Sequence, residues 1–151
     1  MTTTPGSICR ITDSEASATA GAFLMREFNF RLDMPLMSKA RPRFGQGRSY
    51  LPAKYREWKN ATRDHLKQFW VDFDLDTLEQ FELHVEAHGP GRCDADNLIG
   101  ALLDAGLPDK KTGWRGAWKD DRVTVIPYLS FRWIRDREQY WDVSVRVLTE
   151  L

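Results

Sequence analysis

Three aspartates are the residues of this sequence best suited to hold a metal ion. Asp94 and Asp96 stand two residues apart at the predicted start of a helix, and Asp121 follows Asp120 at the predicted start of a later strand. Carboxylate oxygens are ligands that Mg²⁺ prefers, together with water and substrate phosphates. The spacing predicts metal-dependent phosphate chemistry if the fold brings Asp121 to the other two. The alternative is that Asp94 or Asp96 only caps the helix, which is a common role of aspartate.

Charge is segregated along the chain, although the total is balanced. The 151 residues include 22 Lys and Arg and 22 Asp and Glu, so the formal net charge is zero. Residues 31–67 hold ten basic and three acidic residues, a balance of +7, and the rest of the chain carries −7. A basic segment for a polyanion beside an acidic segment for cations is typical of a metal-dependent nucleic-acid enzyme. Mixed charge that serves only solubility is the alternative.

Two features of the basic segment predict contacts with phosphates. Residues 35–52 contain prolines, glycines and arginines without an apolar period, which predicts a long basic loop. The helix predicted next, over residues 52–70, carries a basic stripe away from its apolar face. The candidate DNA-binding residues are Lys39, Arg41, Arg43, Arg48, Arg56, Arg63 and Lys67, with Lys110 and Lys111 from a later loop. An ordinary amphipathic helix with a solvated basic face is the alternative for the stripe.

The period of the apolar residues predicts the elements that position these side chains. Alternation predicts strands over residues 26–34, 77–88, 122–134 and 139–148. A helical period predicts helices over residues 52–70 and 94–105. The short charged link between the last two strands predicts that they pair as an antiparallel hairpin.

The order β-α-β-α-β-β predicts a small α+β domain, with a mixed or antiparallel sheet and two main helices. This domain is expected over residues 23–151, after a disordered tail over residues 1–22 that has almost no large apolar residue. No apolar run is long enough to span a membrane, and there is no signal-peptide pattern. We therefore expect a soluble, cytoplasmic protein.

The aspartate motif and its downstream residues resemble the core of the RusA family of Holliday junction resolvases. The matching segments are Asp94-Ala95-Asp96-Asn97-Leu98-Ile99, Ala101-Leu102-Leu103-Asp104-Ala105 and Trp118-Lys119-Asp120-Asp121. Upstream, Lys39-Ala40-Arg41-Pro42-Arg43-Phe44 is similar to the basic segment of many phage-type members. The resemblance extends from about Phe28 to the C-terminus and leaves out the tail.

The resemblance implies a RusA-like fold and a crossover junction endodeoxyribonuclease that acts in recombination and repair. It assigns catalysis and metal binding to Asp94, Asp96 and Asp121, with Mg²⁺ as the cofactor and Mn²⁺ as an alternative ion. The residues expected beside these ligands are Asp120, Asp104 and Asn97. The implied substrate is a four-way junction or other branched DNA. The implied assembly is a homodimer, encoded by a bacterium or a phage.

One position departs from the family pattern. The family has a lysine four residues after the second aspartate of the motif, where this chain has Gly100. A lysine there would stabilise charge on the scissile phosphate, and a glycine inside a helix costs roughly 0.5–1 kcal/mol relative to alanine. Lys110, Lys111 or Lys119 from the adjacent loop would have to replace it. The first alternative function is therefore a homologue that binds junctions and cuts them weakly or not at all.

Two other interpretations remain open. One is a metal phosphoesterase that acts on nucleotides or small phosphorylated substrates, for which the basic loop and helix would be unnecessary. The other is a structural partner protein whose acidic residues only cap a helix. In that case divalent ions would leave the melting temperature unchanged, because only a ligand that binds the folded state raises it.

Overall fold

The computed structural model of the protein describes the backbone of residues 8–12 and 23–150 and the side chains of residues 24–147. The fold is α+β, as predicted, with two helices and a mixed sheet in the described residues. The elements in chain order are β1 Ile8–Thr12, β2 Phe23–Leu32, β3 Arg43–Gly45, β4 Arg48–Tyr50, α1 Ala53–Asp72, β5 Phe81–Gly89, α2 Ala95–Ala105, β6 Tyr128–Arg135 and β7 Tyr140–Glu150. None of the helices in this part of the chain is both long and apolar enough to span a membrane.

The main sheet has the strand order β1-β2-β7-β5-β6. Its neighbours are antiparallel except β5 and β6, which are parallel and are connected through α2. The predicted hairpin of the last two strands is therefore wrong, because β7 pairs with β2 and β5 rather than with β6. The short link between β6 and β7 indicated pairing, but β7 carries the buried residues Trp141, Val143 and Val145 and takes a central place.

The core lies between the helices and one face of this sheet. Alternate residues of β5, such as Leu83 and Val85, are buried, while Glu86 on the opposite face is half-buried. The buried residues of α1 are Tyr55, Trp58, Thr62, Arg63, Leu66 and Trp70. The buried residues of α2 are Leu98, Ala101, Leu102 and Ala105. Aromatic rings join the two layers, since Trp58 lies 6.1 Å from Trp141 between ring centroids.

The two helices and the first two predicted strands lie near their expected positions, but the third predicted strand begins later than expected. The backbone N–H groups of Val125 and Ile126 both donate to the carbonyl oxygen of Arg122, which closes a turn before β6. Asp120 and Asp121 consequently lie in an irregular loop and not at the start of a strand. Val125 and Ile126 are both buried, so the alternation assumed for this segment does not hold.

Two segments that were predicted to lack regular structure contain short strands. Residues 8–12, within the expected disordered tail, form β1 and pair with β2, so that expectation does not hold for them. The remainder of the expected tail lies outside the described residues. The basic loop contains the β3–β4 hairpin, whose turn residues Gln46 and Gly47 have φ angles of 49° and 71°. Positive φ at both central residues is the requirement of a tight two-residue hairpin turn.

Candidate functional site

The start of α2 presents two carboxylates to solvent. Asp94 occupies the N-cap position with extended backbone angles, but its side chain makes no capping hydrogen bond. Asp96 lies in the first turn of the helix, and both residues are exposed. The negative charges are favourable there because the helix N-terminus carries partial positive charge. Asp94 therefore does not use its carboxylate as a helix cap, and the side chain is exposed.

The loop before β6 distinguishes the two adjacent aspartates. The Oδ1 atom of Asp120 accepts the Asp121 backbone N–H at 2.8 Å, and its Oδ2 atom lies 3.0 Å from Nε of Arg122. Asp120 thus uses both carboxylate oxygens within its own turn, whereas Asp121 is exposed. The loop is anchored just before this point, because Lys119 donates its backbone N–H to the carbonyl oxygen of Leu78 at 2.9 Å. The geometry favours Asp121 over Asp120 as the carboxylate available to a ligand.

The three aspartates do not form one compact cluster. Within the described residues, no group of three or more His, Cys, Asp or Glu side chains is placed so as to hold a metal ion. The helix start alone supplies two carboxylates, Asp94 and Asp96. Proteins commonly bind Mg²⁺ through one or two carboxylates, with water and substrate phosphates completing the octahedron. The two exposed carboxylates at the helix start are the donor type that such an ion takes, and the binding of Mg²⁺ there and the part assigned to Asp121 both stay predictions.

Asp104, which was expected beside the metal ligands, contacts residues from outside α2. Its Oδ2 atom accepts a hydrogen bond from the Tyr55 hydroxyl at 2.8 Å, and its Oδ1 atom lies 3.2 Å from Nζ of Lys39. Burial, and then the bond to Asp104, raises the pKa of Tyr55 above its ordinary value. Asp104 is therefore a link between α2, α1 and the basic loop.

Lys39 lies against Gly100, the position where the sequence departs from the RusA pattern. A Cβ atom built on Gly100 would lie 3.1 Å from Cδ of Lys39 and 3.8 Å from its Cβ. The backbone N–H of Lys39 donates to the carbonyl oxygen of Asn97 at 2.9 Å. The lysine that contacts this position thus comes from the basic loop, whereas Lys110, Lys111 or Lys119 of the later loop was expected there. A glycine inside a helix was the sequence signal, but it does not identify its neighbour.

The hairpin presents the most exposed part of the basic loop. Arg41, Arg43 and Arg48 are exposed, and Phe44 is 85% exposed near the turn. An aromatic side chain this exposed contributes little to folding, because it removes almost no apolar surface from water. The predicted loop residues are accordingly placed where a large ligand can reach them.

The basic stripe predicted for α1 is largely covered by the loop over residues 107–119. Arg63 is buried, and its guanidinium lies 3.4 Å from the Asp109 carboxylate, so the prediction that it contacts phosphate is wrong. Lys67 is half-buried, with its ammonium 5.4 Å from the Trp114 ring centroid. Arg56 is exposed as expected. The helical period placed these residues on one face, but the covering loop comes from a distant part of the chain.

The loop that covers α1 is held by a network around Asp109. Thr112 Oγ1 donates to the Asp109 carboxylate at 2.8 Å, and the Lys111 backbone N–H donates at 3.2 Å. The bond from Thr112 first of all, with contributions from Lys111 and Arg63, lowers the pKa of Asp109 below its ordinary value. Lys110 and Lys111, the remaining DNA-binding candidates, are exposed at the tip of this loop.

Asp109→Asn is expected to lower the melting temperature at pH 7 by about 3 °C, which corresponds to roughly 1 kcal/mol in a chain of this size. A lowered pKa means that the carboxylate stabilises the fold above the unfolded-state pKa near 4 and loses this effect as the pH falls through the folded value. Urea unfolding of the wild type and the variant at pH 7 and pH 3 measures the difference in their free energies of unfolding. An equal difference at both pH values would contradict the charge-based explanation.

A second polar cluster lies on the sheet face that the helices do not cover. His88 is 9% exposed, and its ring nitrogens lie 3.6–3.7 Å from carboxylate oxygens of Glu86, Asp136 and Asp142. Its ring stacks on Tyr140 at 4.2 Å between centroids. Alternation in β5 predicted the polar face, but not the burial of His88, which depends on residues of β7 and of the turn before it.

Comparison with models of known protein families and with curated proteins found no match to this chain.

Proposed function

We propose that the protein is a Mg²⁺-dependent, structure-specific endodeoxyribonuclease of the RusA type, which resolves Holliday junctions or other branched DNA in recombination and repair. One observation carries the proposal: the basic loop is fixed to the acidic helix. The hydrogen bond from the Lys39 N–H to the Asn97 carbonyl oxygen holds the loop three residues beyond Asp94. A polyanion bound by Arg41 and Arg43 would thereby pass close to the two free carboxylates.

The chemistry follows from the two charged surfaces. Asp94 and Asp96, with Asp121 as the proposed third carboxylate, would hold Mg²⁺, which supplies an activated water and polarises a phosphodiester. The expected product is a nick with 5′-phosphate and 3′-hydroxyl ends. Arg41, Arg43 and the other exposed basic residues orient the DNA backbone, and such contacts carry little sequence information. The substrate would therefore be chosen by shape.

A two-fold homodimer belongs to the proposal because a four-way junction has two strands to cut symmetrically. The edge strand β6 supports a place for the interface. Its side chains Tyr128, Leu129 and Trp133 are 52%, 41% and 38% exposed, on the two faces of a strand whose outer edge is unpaired in the described sheet. Unpaired edges of this kind favour association with another chain.

A junction labelled on each strand in turn tests the proposed function directly. Incubation with the protein and Mg²⁺ is expected to give paired nicks near the crossover, in strands of like polarity. Tight binding without nicks would instead support the junction-binding homologue. Hydrolysis of small phosphate esters that survives neutralisation of the basic loop would support the phosphoesterase.

The double substitution Arg41→Gln with Arg43→Gln is expected to weaken junction binding and to flatten its salt dependence. Each lost phosphate contact reduces the slope of log affinity against log salt by about 1, so the expected reduction is about 2. Fluorescence anisotropy over a salt series measures the slope. The matched control is Arg115→Gln with Arg137→Gln, two exposed arginines outside the proposed contacts. Equal slopes for the wild type and the Arg41/Arg43 variant would remove this loop from the binding surface.

A further inference from the structure

Gly100 stands in the middle of α2, where a side chain would be expected. Alanine would be more favourable by roughly 0.5–1 kcal/mol in a helix interior, so the glycine requires a reason. The structure supplies it, because a Cβ atom at this position would approach Lys39 Cδ to 3.1 Å. Among the residues that the structure describes, Lys39 is the one that such an atom would meet within 4 Å, apart from the chain neighbours and the backbone of the helix itself. Gly100 is the seat of the Lys39 side chain.

Asp104 contacts the end of this lysine, and Tyr55 in turn fixes Asp104. The ammonium lies 3.2 Å from Oδ1 of Asp104, and Oδ2 of the same carboxylate accepts the Tyr55 hydroxyl at 2.8 Å. The Asp104 side chain is 15% exposed, whereas that of Lys39 is 44% exposed. A carboxylate bonded at both oxygens is fixed in orientation, so it sets the direction of the lysine. The ammonium keeps an open side toward solvent.

The basic side chains near this surface come from outside α2. The sequence of α2, from Ala95 to Ala105, contains no lysine, arginine or histidine. Lys59 of α1 also faces Asp104, but it is half-buried, and burial lowers its pKa. Asp96, Gly100 and Asp104 follow one another at four-residue steps and therefore share one stripe of the helix. Lys39 brings positive charge to a stripe that otherwise carries only carboxylates.

We propose that Lys39, seated on Gly100 and positioned by Asp104 and Tyr55, binds the DNA phosphate that lies against this stripe of α2. The inference rests on the proposed function, because it takes a DNA phosphate as the ligand. Lys39 then differs from the arginines of the hairpin. Its contact depends on the shape of α2 and is weakened when the seat is filled, even if every charge of the protein remains.

Binding measured in the absence of divalent metal separates this role from catalysis. We would measure anisotropy of a labelled four-way junction with the full-length protein in EDTA, so that no cleavage occurs. Lys39→Gln is expected to weaken binding about tenfold, as for a lost charged hydrogen bond, and to reduce the salt slope by about 1. The control is Lys54→Gln, the same charge change at an exposed lysine of α1.

Gly100→Ala tests the seat without changing charge. The added methyl group is expected to shift Lys39 and to weaken binding about threefold, which in free energy is about half of the Lys39→Gln effect. The double variant Lys39→Gln with Gly100→Lys returns an ammonium to the same place and is expected to recover most of the lost affinity. Circular dichroism melting identifies any variant that fails to fold. If Gly100→Ala fails to fold, the affinity recovered by Lys39→Gln with Gly100→Lys decides the test.

The outcomes separate this inference from the proposed function. A wild-type protein that neither binds nor nicks branched DNA would overturn the proposed function. A wild-type protein that binds, with Lys39→Gln no weaker than Lys54→Gln, would overturn only the inference about Lys39. A Gly100→Ala protein that binds as tightly as the wild type, or a doubly substituted protein that binds no better than Lys39→Gln, would likewise contradict the seat.

Tyr55→Phe tests the positioning part of the inference. It keeps the ring and removes only the hydroxyl that orients Asp104. The expected result is a weakening of about threefold in the wild-type background and no further weakening in the Lys39→Gln background, because the two changes act on one contact. Independent, additive losses in affinity would show that Tyr55 does not act through Lys39.

Discussion

Replacing Asp94 with asparagine is expected to reduce nicking of a four-way junction in Mg²⁺ by about a hundredfold or more, while DNA binding is retained. Asparagine preserves the shape of the side chain but removes a charge that a divalent ion requires. Removal even of residues that only orient metal ligands costs about 10–100-fold, and a direct ligand is expected to cost more. Loss of a negative charge beside phosphates does not weaken DNA binding, so anisotropy of the same variant separates binding from cleavage.

Asp121→Asn is expected to give a loss of similar size, and Asp120→Asn is its matched control. The two residues are adjacent in one loop, but Asp120 already uses its oxygens for the Asp121 N–H and for Arg122. Melting curves add a second measurement, because Mg²⁺ bound to the folded state raises the melting temperature of the wild type and not that of Asp94→Asn. If both Asp94→Asn and Asp121→Asn nick at the wild-type rate, the nuclease assignment is wrong. If only Asp121→Asn does, the site has two carboxylates.

Trp118→Ala is expected to destabilise the protein by about 3–5 kcal/mol, the usual range for removing a buried tryptophan. Trp118 is fully buried, and its ring lies 5.6 Å from Phe81 and 6.2 Å from Trp70 between centroids. Its indole N–H donates to the carbonyl oxygen of Leu103 at 3.0 Å, which joins the end of α2 to the segment before Asp120. Urea unfolding followed by fluorescence and far-UV circular dichroism measures the loss.

Trp133→Ala is the matched control for this substitution. Trp133 is 38% exposed on the edge strand β6, so its removal opens no enclosed cavity and is expected to cost clearly less. Since Trp118 connects the two segments that carry the proposed ligands, Trp118→Ala is also expected to lose nicking at temperatures where it is still folded. Equal stability losses for the two tryptophans would contradict the central position of Trp118.

Local periodicity predicted most of the elements of the fold and the buried faces of its helices. The apolar face expected for α1 is buried, with Tyr55, Trp58 and Leu66 among its residues. The pairing of the strands was not accessible in the same way, because the position of β7 depends on two partners far away in sequence. A short connection favours a hairpin, but which two strands flank a central strand is decided by the packing of the whole sheet.

The same limit applies to the candidate site. The aspartates at the start of α2 follow from residue type and spacing, and they are exposed at that helix start. The burial of Arg63 against Asp109 joins residues 46 positions apart, and the ion pair of Lys39 with Asp104 joins residues 65 positions apart. Neither can be read from a helical wheel, which assigns residues to a face without naming what covers it. A glycine inside a helix, such as Gly100, indicates a close neighbour but does not identify that neighbour as Lys39.

The central position of β7 also has a consequence for how the protein is made. Within the described part of the sheet, β2 and β5 are joined only through β7, which is the last of these strands to leave the ribosome. Until β7 emerges, the sheet is incomplete, and the apolar faces of β2, β5 and both helices stay exposed. Nascent chains with exposed apolar faces attract chaperones or aggregate. Long-range strand pairing of this kind also slows folding, because distant segments must meet before either is stabilised. The domain is therefore expected to acquire its stability in one late step, after translation of β7, rather than progressively from its N-terminal half.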